Sequence, residues 1–262
     1  MHQIEFRNVN KRFPSKRDPE PPFAVQNLSL AIQQGEVVSV IGPSGCGKST
    51  LLNMGAGLYL PTSGEVYVEG ERVTKPLKKT SFMLQKDLLM PWRTIRQNVE
   101  LGLEIDGVDP EKRKAVALDQ LKRCHLAGFE DHYPYQLSGG MRQRAALART
   151  LATDPHVLLM DEPFSALDAQ TKMVLQQDLA STVFEQKKTV LFITHDLAEG
   201  IALSDRVLVM SHRPGTIIRE MIVDIPDRHD PMARRKHHQH RLGEMVAELM
   251  DLLHIGGDSD VH

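Results

Sequence analysis

The chain has 262 residues, 25% of them charged and 41% hydrophobic, the composition of a globular protein long enough to bury a full core. A formal net charge of -2 argues against a general binder of nucleic acid or membrane surfaces. The longest apolar runs, such as Val157-Leu158-Leu159-Met160, fall far short of the roughly 20 residues a membrane span needs, and residues 1–5 lack a signal-peptide pattern, so any membrane role is expected to run through a partner.

Ile4, Phe6 and Val9 begin a first strand, and Leu28, Leu30 and Ile32 alternate with polar residues in a second, half-buried one. The charged, proline-rich residues 15–22 between them read as an exposed loop. Residues 37–41, Val-Val-Ser-Val-Ile, form a short apolar run typical of a strand buried on both faces. A glycine-rich turn follows, then a helix-compatible stretch from Lys48 to Leu58, and residues 65–68 and 81–84 look like further strands. From about Thr94 to His132 the chain is polar with helical periodicity, broken at Gly107-Val108-Asp109-Pro110. This reads as an inserted helical subdomain over about residues 86–150. From Val157 onward, strands at 157–160, 189–193 and 206–210 alternate with helical stretches, the rhythm of a parallel sheet. The basic, histidine-rich run from Arg234 to Arg241 has no cysteine or carboxylate at ligand spacing and reads as a solvated linker or helix face, with an accessory regulatory role left open. Leu242, Met245, Val246, Leu249, Leu252 and Leu253 then recur at helix-face spacing, giving a C-terminal helical extension over 231–262 that packs on the body.

Chemistry enters at Gly42-Pro43-Ser44-Gly45-Cys46-Gly47-Lys48-Ser49, which fits G-x-x-x-x-G-K-[ST] between a buried strand and a helix, the context this motif requires. Successive backbone N–H groups and a helix N-terminus form a concave donor surface for polyphosphate. Gly42, Gly45 and Gly47 let the backbone approach the oxygens, Lys48 reaches the β/γ-phosphates and Ser49 ligates Mg2+. Pro43, Ser44, Cys46 and Thr50 complete the expected ATP-binding set. A Cys46–Cys124 bridge would obstruct nucleotide, so two reduced thiols are expected.

The apolar run 157–160 ends in Asp161 and Glu162. Parallel-sheet enzymes place their sites at the carboxyl ends of strands. Asp161 is therefore expected to hold Mg2+ through water, and Glu162 to orient or deprotonate the attacking water. Acidic residues also end strands merely because strands end at the surface, but the phosphate loop upstream favours the functional meaning. Leu137-Ser138-Gly139-Gly140-Met141 then opens a strongly helical stretch, by itself either a plain capped helix start, the commoner meaning of Ser-Gly-Gly, or a second helix N-terminus with exposed amides suited to a γ-phosphate.

With Gln85 after a strand, Ser165-Ala166-Leu167-Asp168 after the acidic pair and Thr194-His195-Asp196 after a later strand, six motifs stand in order, and the chain resembles the ABC ATPases over nearly its whole length. The resemblance implies an α/β P-loop NTPase over residues 1–230, with a mostly parallel core sheet, an N-terminal antiparallel β-subdomain and an inserted α-helical subdomain. It also implies a head-to-tail pair of identical ATPase subunits. ATP on the Lys48 loop of one would be covered by Ser138, Gly139 and Gly140 of the other. Gln85 would sense Mg2+ and the attacking water, His195 would contact the γ-phosphate, and Asp168 would lie at the dimer seam. Phe13 matches the aromatic that stacks on adenine, where family members more often have Tyr; Phe23 flanks the same loop and is the alternative.

The run from Lys86 to Val99, with Met90-Pro91-Trp92-Arg93-Thr94-Ile95, is similar to that of importer ATPases for nitrate, sulfonate and taurine, Met90 standing where Leu is usual. That resemblance implies a membrane permease docking near Gln85–Trp92, a solute-binding protein in the full system, no nucleic-acid partner, and a place at the cytoplasmic face of the cell membrane. Trp92 in the core is the plainer alternative. A rival class, the soluble ABC ATPases without a permease, usually carries two ATPase units or a long coiled-coil insertion. One set of motifs and a modest insertion disfavour it here.

Overall fold

The computed structural model describes residues 2–255 except 17 and 19; those two loop positions and residues 256–262 of the expected extension lie outside the described residues. β1 (His2–Lys11) and β2 (Val25–Gln33) pair antiparallel, with Phe6 opposite Leu30 and Ile4 opposite Ile32. β3 (Val37–Ile41) is buried along its length, and α1 (Lys48–Gly55) follows it. The helix stops short of the expected Leu58. The chain turns at Gly57, where φ is 72° and a Cβ would lie 2.5 Å from the Lys75 backbone. β4 (Ser63–Val68) and β5 (Glu71–Arg72) complete a four-stranded antiparallel sheet in the order β2-β1-β4-β5.

β6 (Thr80–Met83) begins one residue before the expected strand because its parallel ladder with β7 (Val157–Asp161) starts at Thr80 opposite Val157. Three helices lie between these strands in sequence. α2 (Ile95–Ile105) starts at a Thr94/Gln97 capping box. α3 (Pro110–Arg123) is capped by Asp109 with Pro at its first turn, so the interruption at 107–110 is one helix end followed by the next helix start. α4 (Gly139–Ala152) is capped by Ser138. Beyond β7 come α5 (Ala169–Glu185), β8 (Thr189–Ile193), α6 (Leu197–Leu203), β9 (Arg206–Met210), β10 (Ile217–Ile222), α7 (Pro231–His237) and α8 (Gln239–Ile255). The six-stranded sheet runs β10-β9-β3-β8-β7-β6, parallel except for β10.

Alternate residues of the central strands feed two cores, as a pleated strand buried on both faces requires. Val157, Leu159, Leu191 and Ile193 join Leu51, Leu52 and Met54 of α1 and Phe6 and Val66 of the antiparallel sheet. Leu158, Met160, Val190 and Phe192 face the helical side, with Ile95, Leu121, Leu147 and Leu175. Each such side chain, fully buried, contributes about 1.5–3 kcal/mol. A third cluster sets Met245 and Leu249 of α8 on Ile41, Val207 and Val209, so the tail packs against the strand that enters the phosphate loop. The basic run departs from the expected solvated face: Arg234 is buried and Arg235 half-buried. Among the described residues no helix is long and apolar enough to cross a membrane.

Candidate functional site

β3 delivers the chain into the glycine-rich loop, and Gly47, at φ 107°, is the N-cap of α1. A Cβ there would lie 2.7 Å from the Ala24 carbonyl oxygen, so only glycine fits both the backbone angle and the space. α1 has no side-chain cap and no acidic residue in its first turn, leaving its amides and the positive end of its dipole for an anion. Lys48 Nζ donates to the carbonyl oxygens of Gly42 (2.8 Å) and Pro43 (2.9 Å) and lies 3.8 Å from Cys46 Sγ. Cys46 and Cys124 are both free and buried. Burial pushes the Cys46 thiol up, and pushes that of Cys124 up to about 12.

At the carboxyl end of β7, Asp161 is buried, and burial is the main cause holding its carboxyl above the usual range; the Ser49 hydroxyl, hydrogen-bonded to it, and Lys48 oppose that shift while Glu162 adds to it. Glu162 sits at φ 49°, left-handed backbone that a glutamate rarely adopts. Its N–H donates to Ile193 O (3.1 Å), and its carbonyl accepts from Ser165 Oγ (3.0 Å) and Gln143 Nε2 (3.1 Å). Gln85 Nε2 donates to Glu162 Oε2 at 3.0 Å, and His195 Nδ1 lies 3.4 Å from the same oxygen.

These groups line one cavity of about 440 Å³: Gly42, Ser44, Gly45, Gly47, Lys48, Ser49 and Thr50 on the loop side, with Gln85, Asp161, Glu162 and His195 facing them. Pro43 and Cys46 belong to the loop but do not line the cavity. Phe13 lines it and Phe23 does not; the Phe23 ring lies instead under the Arg12 guanidinium, 3.9 Å from its centroid. Ser138, Gly139 and Gly140 stand outside it, with Ser138 and Gly139 exposed, and Ser138 Oγ accepts from the Met141 N–H (3.3 Å). Asp168 also lies outside, capping α5 by accepting from the Thr171 N–H at 3.0 Å. Trp92 is 72% exposed, which removes the core alternative for it.

Two contributors escaped the sequence reading. Arg213 lines the cavity from the loop after β9. Gln143, 4% exposed, joins α4 to the loop after β7: its Nε2 donates to Glu162 O, and its Oε1 accepts from the Ala166 N–H (2.9 Å). An amide inside a helical run carries no local sign of such a partner. The only available signal was its place one turn after the Ser-Gly-Gly start.

A protein-family model described as ABC transporter matches residues 25–165. The chain is 49% identical over 202 residues to an uncharacterized ABC transporter ATP-binding protein of Methanocaldococcus jannaschii, covering 77% of this chain and 76% of that one. It is 45% identical to the nitrate import ATP-binding protein of Synechocystis sp. (86% and 84% covered) and 43% identical to a taurine import ATP-binding protein of Yersinia pestis (79% and 81%). Among solved structures, the dimeric post-hydrolysis state of the ATP-binding cassette MJ0796 bound to ADP and Pi superposes with a TM-score of 0.78 at 36% identity, covering 84% of this chain and 98% of that one.

Proposed function

Because this chain belongs to the ABC transporter family and is an ATPase, we propose that it is the subunit that powers import of a small solute of the nitrate, sulfonate or taurine kind through a partner permease. The observation that carries the reading is the division of the site. One cavity gathers the phosphate loop, Gln85, Asp161, Glu162 and His195, while the amide-presenting start of α4 points elsewhere. A site divided in this way is completed by a second copy, and the dimeric cassette structures support that arrangement.

In this reading the backbone N–H groups of residues 44–50 bind the polyphosphate of ATP, and Lys48 exchanges its carbonyl partners, Gly42 and Pro43, for phosphate oxygens. Asp161, Ser49 and Gln85 suit Mg2+: hard oxygen donors beside a buried carboxylate whose charge lacks full solvation. Held by these residues, the ion would supply neutralisation of the phosphate charge. Glu162, already held by Gln85, accepts the proton of the attacking water, and His195, beside Glu162, contacts the γ-phosphate. Phe13 stacks on adenine. The partner subunit's Ser138, Gly139 and Gly140 close over the phosphates, with Asp168 at the seam. Residues 1–230 form the ATPase domain, with a helical subdomain over about 86–150 and an extension over 231–262. Exposed Leu88 and Trp92 offer the permease an apolar docking point, which keeps the subunit at the cytoplasmic face of the membrane; a solute-binding protein completes the system, and nucleic acid has no part in it.

The test is affinity purification of tagged Glu162→Gln protein from detergent-solubilised native membranes with ATP, followed by mass spectrometry. A co-purifying multi-span permease is expected. Reproducible recovery of soluble partners alone would move the chain to the permease-free ABC ATPases.

A further inference from the structure

The basic run after residue 230 has no part in the nucleotide site, yet two of its arginines turn into the body. Arg234 donates to the carbonyl oxygens of Ile201 (3.1 Å), Ala202 (3.3 Å) and Ser204 (2.8 Å), and to those of Pro226 (2.8 Å) and Ile225. The first three are carbonyls at the C-terminal end of α6, where a helix leaves acceptors unsatisfied. Arg234 therefore ties α7 to the far end of that helix.

Arg235 reaches the near end. Its Nη2 donates to Gln176 Oε1 at 2.6 Å, and Gln176, fully buried in α5, donates from Nε2 to Glu199 Oε2 at 2.8 Å. Glu199, 2% exposed, stands in the first turn of α6, its Oε2 2.7 Å from Lys172 Nζ. Lys172 also pairs with Asp196 Oδ2 at 2.8 Å. Asp196 caps α6 by accepting from the Glu199 N–H at 3.0 Å, and it directly follows His195.

We propose that Arg235 is a positioning residue for His195, acting through Gln176, Glu199, Lys172 and Asp196, so that the C-terminal extension sets the geometry of the hydrolytic site. The proposal rests on the role given to His195 above. His195 is 70% exposed and lacks buried packing of its own, so its place is set by the backbone that leads into α6. α6 has seven residues, a rigid rod of about 10 Å, gripped by α7 at one end and through the buried relay at the other. In a buried polar network each unmet partner is costly, so losing one link redistributes the rest. Without Arg235 the Gln176 amide is free to turn from Glu199. Lys172 is then left to serve two carboxylates, and the Asp196 cap loosens.

The test is ATP hydrolysis by the full chain in a double-mutant cycle of Arg235→Gln with His195→Ala, beside Arg235→Lys. Arg235→Gln is expected to lower kcat roughly fivefold to tenfold with KM for ATP held within about twofold, Arg235→Lys to restore most of it, and Arg235→Gln to add nothing once His195 is Ala. An unchanged kcat, or the same fold-drop in both backgrounds, overturns the proposal. If His195→Ala itself leaves turnover intact, the role of His195 fails and this one with it. Impairment by His195→Ala but not by Arg235→Gln removes this role alone. Should Arg235→Gln not fold, Gln176→Met cuts the same relay inside α5 and carries the same expectations.

Discussion

Glu162 sits against its own backbone preference. A glutamate at φ 49° costs of order 1–3 kcal/mol, and here the flanking contacts hold it: Ile193 O on one side, Ser165 Oγ and the Gln143 amide on the other. Strain of this kind collects where a side chain must be aimed, and the side chain aimed here meets both Gln85 and His195. Glycine adopts that angle freely, whereas a β-branched residue does not. Glu162→Gly should therefore abolish hydrolysis while resisting urea at least as well as the parent. Glu162→Val should abolish hydrolysis and lose about 1–3 kcal/mol of stability. If Glu162→Gly were clearly the less stable of the two, the strain would not be real. That two carboxylates end this strand could be read from the sequence, because the apolar run 157–160 announces it. The backbone angle of Glu162 could not, because it depends on Gln143, Ser165 and Ile193, which meet only in the fold.

Among the elements, α4 links the helical side to the loop after β7. Its first turn presents Ser138, Gly139 and Gly140 outward, and one turn later Gln143 holds the loop that carries Glu162 of the same chain. In the proposed head-to-tail pair the helix would serve two sites at once, covering its partner's nucleotide by its start and holding the Glu162 loop of its own by Gln143. Gln143→Leu leaves the Ala166 N–H without its side-chain acceptor and should cost about 0.5–1.5 kcal/mol of stability. It should also lower kcat more than it weakens ATP binding, which single-turnover kinetics beside equilibrium titration would separate; equal losses in both would assign Gln143 to packing alone. Legibility follows sequence distance here. The phosphate loop was readable because its donors are neighbours in the chain and its strand and helix flank it. The Arg235–Gln176 and Gln176–Glu199 links span 59 and 23 residues, and nothing local marks either. The basic run, without cysteine or carboxylate at ligand spacing, carries no local mark that two of its arginines turn inward. Only the fold supplies the row of helix-end carbonyls that draws Arg234 in.

At the scale of the whole molecule, α1 lies between the two sheets while α8 packs on β3 and β9, so the phosphate loop is held from several directions. Gln85, Asp161, Glu162 and His195 thus already share one cavity with the phosphate loop, and in the proposed reading the start of α4 of a second copy would supply further γ-phosphate contacts. On that reading a complete site needs two copies. The measurement that tests it most directly is light scattering of Glu162→Gln protein at saturating ATP with Mg2+. A shift from monomer to dimer is expected, reversed by adding Lys48→Ala, which removes the cation that faces the phosphates, or Ser138→Arg, which blocks the covering helix start. Glu162→Gln protein that binds ATP to saturation and stays monomeric would contradict the shared site.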